Sequence, residues 1–176
     1  MVGRVVEALK HLAVVRRVRQ FWCALWARVR PDEYLLVDDR LQPAQAALFR
    51  RMQRWDQRHC LNVFHTLRRS GCRDEGLLQA ALLHDVGKAA GPMPLWHRVA
   101  LVLLRRWAPH WLARQAEDGR GWRAPFAVHA RHAAVSAQWA TEVDCPPDVV
   151  ACIRGHHDPD PANERLAALQ QADEHN

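Results

Sequence analysis

Apolar residues recur at three- and four-residue steps along most of the 176-residue chain, and the alternation that a half-buried strand needs is almost absent. That period, with Leu, Ala, Val and Trp abundant and Gly sparse, predicts an all-α protein. The length suits one domain with an extension and is enough to bury a core without covalent staples.

The first helix is expected over residues 4 to 29. Val5, Leu9, Leu12, Val15, Val18, Trp22, Leu25 and Val29 make its apolar stripe, and Arg16, Arg17 and Arg19 gather on other faces. This basic amphipathic extension, residues 1–42, is expected to dock on the rest of the protein or on a second copy; an anionic membrane surface is the other surface it suits. "RPDE" at 30–33 reads as a break, and Pro43 suits the first turn of a helix running toward Arg54. A helix from Asp56 to Arg69 is closed by Gly71, and "LLQAALLHDVGK" at 77–88 forms the next, stopped by Gly87 and "GPMP". Further helices are expected at Leu95 to Trp107, after Pro109, from Pro125 to Val143, from Pro147 to His156 and from Asn163 to Glu174.

Five cysteines, Cys23, Cys60, Cys72, Cys145 and Cys152, are odd in number and form no CxxC, so neither a disulfide framework nor a zinc knuckle is expected. A reduced, cytoplasmic setting follows from that usage. Nowhere do about 18 apolar residues run without a charge, so no membrane span is expected. The formal net charge of +6 favours anionic partners, and arginine carries nearly all of it, Lys10 and Lys88 being the only lysines.

Chemistry enters in the last turn of "LLQAALLHDVGK", where His84 and Asp85 follow a run of leucines and alanines. A His–Asp pair alone proves little, because His157 and Asp158 form another. Yet similar polar groups stand beside apolar stripes elsewhere: His59 in "DQRHCLNV", His132 in "HARHAAVSA", His156 and His157 in "IRGHHD", and Asp173 in "LQQADEHN". Burying unpaired imidazoles and carboxylates is costly, so either each has a private hydrogen-bond partner or they converge on cations.

In order and spacing, "RHCLNV", "AALLHDVGK", "HAAVSAQWA", "VVACIRGHH" and "LAALQQAD" resemble the HD-domain superfamily of metal-dependent phosphohydrolases over roughly residues 43–176. The resemblance implies a helical bundle around a metal site. It also implies that His59, His84, Asp85 and Asp173 form one metal site, that His132, His156 and His157 build a second, and that Asp85 bridges the two. Two divalent transition metals are expected, with Fe, Mn, Co, Ni and Zn all compatible with such ligands. Lys88, three residues after Asp85, falls near the same face on a continued helical turn, and the resemblance assigns it contact with substrate phosphate. Arg131 and Arg154 are further candidates for binding that phosphate. His129 is a candidate to orient His132 or protonate a leaving group, whereas His65, six residues from His59, turns to another face. His11, His97, His110 and His175 match no family position and read as structural or exposed.

The expected activity is hydrolysis of a phosphate ester or anhydride of a small molecule, a nucleotide foremost, by a metal-activated hydroxide. The chain reads "HHDPDPANER" where branches that cleave cyclic dinucleotides carry a DGxGYP-like continuation, which argues against that substrate class. Two other readings stay open: a di-iron oxygenase on the same scaffold, and a non-catalytic HD-like binding module that uses its basic N-terminal helix. No aromatic stacking motif or zinc finger points to specific nucleic-acid recognition.

Overall fold

A computed structural model describes residues 28–91 and 124–176 of the chain. The amphipathic helix expected at residues 4–29, save its last residues, and the elements expected between Leu95 and Trp122 lie outside the described residues. Those described form seven α-helices and one short 3₁₀ helix, with no strand among them.

Each helix starts and stops for a local reason. Pro31 and Pro43 occupy the first turns of α1 (Pro31–Arg40) and α2 (Pro43–Arg51), where the missing N–H costs nothing. The "RPDE" stretch expected as a break is thus a helix start, its Glu33 carboxylate accepting from the Arg30 amide at 2.9 Å. Helix α3 (Arg54–Arg69) ends where Gly71 takes φ +88°, a left-handed conformation that lets the Cys72 amide donate back to the Leu67 carbonyl at 3.0 Å. Asp74 caps α4 (Glu75–Leu83) by accepting from the Leu77 amide at 3.0 Å, and Asn163 caps α7 (Glu164–His175) by accepting from Leu166 at 2.9 Å. Between them run α5 (Ala124–Glu142) and α6 (Pro147–Gly155).

Helix α4 is the centre of the bundle. Six of its nine residues, Leu77, Leu78, Ala80, Ala81, Leu82 and Leu83, are buried, which suits a helix surrounded by others. It packs against α2, α3, α6 and α7, while α5 lies on the 3₁₀ turn and on α6. Phe49, Leu61, Leu78, Leu82, Leu83, Ile153 and Leu169 fill the middle of the core. Burying such a side chain contributes roughly 1.5–3 kcal/mol, enough to overrule weak local preferences. Residues 31–41 fall in the stretch that the sequence reading gives to the extension, and their Val37 and Leu41 are buried in the same core.

The end of α4 also differs from the expectation. The helix expected to run from Leu77 to Gly87 stops at Leu83, and the chain tightens into the 3₁₀ turn Val86–Ala90. Asp85 leaves the helix at φ −102°, ψ 3°, and the Gly87 amide donates to Ser136 Oγ on α5 at 2.8 Å. A tertiary partner has replaced the helical one.

Candidate metal centre

The early end of α4 sets the geometry of the site. His84 is the residue that follows α4, and His156 stands in the same place after α6. Each turns its ring back on its own helix: His84 Nδ1 lies 3.0 Å from the Ala81 carbonyl and His156 Nδ1 2.6 Å from the Ile153 carbonyl. A carbonyl can only accept, so both Nδ1 atoms carry the proton, and both Nε2 lone pairs point into the bundle.

What they point at is a set of ligand-type atoms from five elements. His59 on α3, His84 after α4 and Asp173 on α7 form one group; His132 on α5 with His156 and His157 after α6 forms another. Within each group the ligand atoms all lie within 4.8 Å of one another. Asp85 stands between the groups. Its Oδ2 is 3.6 Å from His84 Nε2 and 3.7 Å from His59 Nε2, whereas its Oδ1 is 3.2 Å from His132 Nε2 and 4.0 Å from His156 Nε2.

Protons alone cannot satisfy this arrangement. His132 Nε2 lies 3.2 Å from His156 Nε2 and 3.1 Å from His157 Nε2 as well as 3.2 Å from Asp85, yet one ring nitrogen carries at most one hydrogen. His84 Nε2 is buried with no hydrogen-bond partner among the described residues. An orphaned lone pair in a buried site costs about 1–3 kcal/mol, and a cation removes that cost. The donors, imidazole and carboxylate, fit first-row transition metals better than calcium.

The electrostatics agree. Burial opposes ionisation of Asp85, but the Lys88 ammonium, His84 and His132 outweigh it and hold the carboxyl well below its usual range. Burial likewise opposes ionisation of Asp173, but His59 Nε2 at 2.7 Å and the nearby His84 imidazole outweigh it, so that this carboxyl is lowered too. Burial opposes the charged form of His84, but the neighbouring Asp85 and Asp173 carboxylates outweigh it and push this histidine well above the usual value. Its corner of the pocket calls for positive charge. His156 and His157 move the other way, down to about 3 through burial and His84 and to about 4 through burial and His132. Both stay neutral near pH 7, the form in which imidazole binds a metal.

All seven expected ligands are therefore brought together. Lys88 also reaches them: its Nζ lies 2.5 Å from Asp85 Oδ2 and it is one-fifth exposed. Arg131 and Arg154 are exposed on α5 and α6, and among the described residues neither forms a hydrogen bond or ion pair with the cluster. The side chain of His129, with His11, His97 and His110, lies outside the described residues. His175 is exposed, its Nδ1 2.6 Å from the Gln171 carbonyl, and His65 turns away from the cluster to lie 3.4 Å from Glu33.

Sequence reasoning missed two neighbours. Cys60 is fully buried with Sγ 3.8 Å from His84 Nδ1, on the side of the ring whose proton already serves Ala81. Burial raises its thiol, so it packs behind His84 as a neutral group, and only its place beside His59 in the chain hinted at it. Ser136, four residues after His132 and fully buried, lies inside the "HAAVSAQWA" stretch, but nothing in the sequence pairs its hydroxyl with the Gly87 amide. The four described cysteines are free thiols, and no described helix is long and apolar enough to cross a membrane.

The family model described as "HD domain" matches residues 57–175, a span that includes every candidate ligand named above. No curated protein and no solved structure matches the chain. The matched span and the helical architecture agree, and the chain belongs to the HD-domain family.

Proposed function

We propose that the protein is a metal-dependent phosphohydrolase acting on a small phosphorylated molecule, with nucleotides the first class to test. The observation that carries this reading is the position of Asp85, whose two oxygens face two different imidazole groups in a pocket with more lone pairs than protons. Membership of a superfamily of metal-dependent hydrolases supports it.

His59, His84 and Asp173 would hold one divalent ion, His132, His156 and His157 a second, with Asp85 shared. When bound, such ions supply an acidified water and neutralise phosphoryl oxygens. The remaining work belongs to side chains. Asp85, buried and held ionised, fixes the spacing between the two groups. Lys88 brings an ammonium to the edge of the cluster, where it offsets negative charge on the non-bridging oxygens of a phosphate. His59, Asp173, His157 and Lys88 retain exposure while His84, Asp85, His132 and His156 are buried, so substrate meets the cluster from the side of the former four.

The test combines metal analysis of protein purified without chelators with phosphate release from nucleoside mono- and triphosphates in the presence of Mn, Fe or Co. Turnover that disappears in Asp85→Ala supports the reading. Oxygen consumption by iron-loaded protein without phosphate release would replace it with a di-iron oxygenase. Failure to retain any metal, together with salt-dependent polyanion binding, would replace it with a binding module.

A further inference from the structure

A second feature lies on a different face of α3. Arg28, Arg30, Arg58, Arg68 and Arg69 line a groove of about 680 Å³ in which Glu33 is the one acidic lining residue among those described. Its floor is a stripe of α3, with Arg58, Asn62, His65 and Arg69 at positions i, i+4, i+7 and i+11. Arg58 precedes His59 by one residue, so the stripe points about 100° around the helix axis from the metal ligand.

The charges in this groove do not balance. Glu33 is buried, and both its oxygens lie 2.6 Å from Arg58 Nη1, with His65 Nε2 at 3.4 Å and Arg30 Nε at 3.9 Å. That carboxylate is fully engaged in holding α1 to α3. Arg30 also meets Asp32 at 3.1 Å, both largely exposed. Among the described residues no carboxylate lies within ion-pair distance of Arg28, Arg68 or Arg69. Arg69 is nonetheless fixed: its Nε donates to the His65 carbonyl and its Nη2 to Thr66 Oγ1, each at 3.2 Å. An arginine-rich chain exposes many guanidinium groups to water with no duty. Here three without acidic partners share one concave surface, and one of them is held in place by neutral groups. Their mutual repulsion falls when a multiply charged anion bridges them.

The shape and lining narrow the occupant. The groove is roomy enough for a small anion and lies largely open to solvent. Among the described residues no Phe, Tyr or Trp lines it, so none of them offers the broad stacking platform by which single-stranded nucleic acid is usually held. Fork-shaped guanidinium donors match phosphate oxygens. We infer that the groove between α1 and α3 is an anion site, separate from the metal centre, that binds the polyphosphate moiety of a small ligand.

Calorimetric titration of inorganic tripolyphosphate into the full chain and into full-length Asp85→Asn tests this. Both proteins are expected to bind it with dissociation constants within about twofold of each other, while the pair Arg68→Gln and Arg69→Gln weakens binding about tenfold or more. Arg68→Lys with Arg69→Lys, which keeps the charge, should recover most of the affinity. Arg28→Gln lies outside any helix and supplies an independent variant if the glutamine pair misfolds; it too is expected to weaken binding. Loss of binding in Asp85→Asn with retention in the glutamine pair would assign the anion to the metal centre and overturn the proposal. So would binding no tighter than that of chloride at equal ionic strength, or displacement by a single-stranded oligonucleotide at lower concentration than by pyrophosphate. Binding is read without turnover, so a protein that hydrolyses nothing can still pass, and one that hydrolyses phosphate esters can still fail.

Discussion

The amide of Gly87 donates to the hydroxyl of Ser136 at 2.8 Å, tying the turn that carries Asp85 to the helix that carries His132. No space is left at that joint. A Cβ added to Gly87 would stand 2.3 Å from the His132 carbonyl oxygen and 2.7 Å from the Ser136 amide nitrogen, both backbone atoms.

Gly87→Ala is therefore expected to force α5 away from the turn and to cost about 3 kcal/mol or more. Ser136→Ala keeps the close approach but strands a buried N–H, at about 1–3 kcal/mol, lowering Tm by roughly 5 °C in a chain of this size. Thermal melts check both. A Gly87→Ala protein that melts like wild type and retains its metal would show that the two elements are not in contact.

The two ligand groups make separate demands on metal stoichiometry. His59→Ala and His157→Ala should each remove about one equivalent of bound metal, and Asp85→Asn should remove both. Elemental analysis of the three purified variants distinguishes this from a single shared ion, for which every variant loses the same amount.

Chelation should destabilise the fold. Ligands drawn from α3, the turn after α4, α5, α6 and α7 converge only in the native state, so an ion present at 100 times its dissociation constant adds about 2.7 kcal/mol. A chelator should then lower Tm by roughly 5–10 °C, and excess Mn or Co should restore it. A melt unmoved by chelator would mean that no ion links these helices.

Acid should loosen the joint between α1 and α3. Burial opposes ionisation of Glu33, but Arg58 and the Arg30 amide outweigh it and hold its carboxyl below the ordinary value of 4.5. A carboxyl with a lower pKa in the folded state stabilises the fold above about pH 4.5, and that stabilisation disappears as pH falls through the folded value. Glu33→Gln should be less stable than wild type at pH 7, by about 2 kcal/mol, and the difference should shrink toward pH 3. Denaturant melts across that range measure it; a constant gap would place the Glu33 effect elsewhere.

Much of the bundle was legible because the apolar period is local information. The Asn163 cap, the Gly71 stop and the Pro147 start sit within a residue or two of the expected boundaries. The ligands were legible for a different reason: polar groups set into apolar stripes recur in a recognisable order. The end of α4 was not legible, since the partner that draws the Gly87 amide out of the helix is 49 residues away on α5. Nor was the arginine groove, because the stripe on α3 gains a wall only when α1 docks, and "RPDE" read as a break hides that helix.

His84 and His156 each stand directly after a helix, which means that α4 and α6 both terminate at the cluster. The free carbonyl end of a helix carries roughly half an elementary negative charge. Two such ends add an attraction for cations that belongs to the backbone and that no side-chain substitution deletes. In a chain with a formal charge of +6, these two ends would add to the carboxylates of Asp85 and Asp173 in offsetting, at the pocket, the repulsion that the molecule as a whole presents to a doubly charged ion.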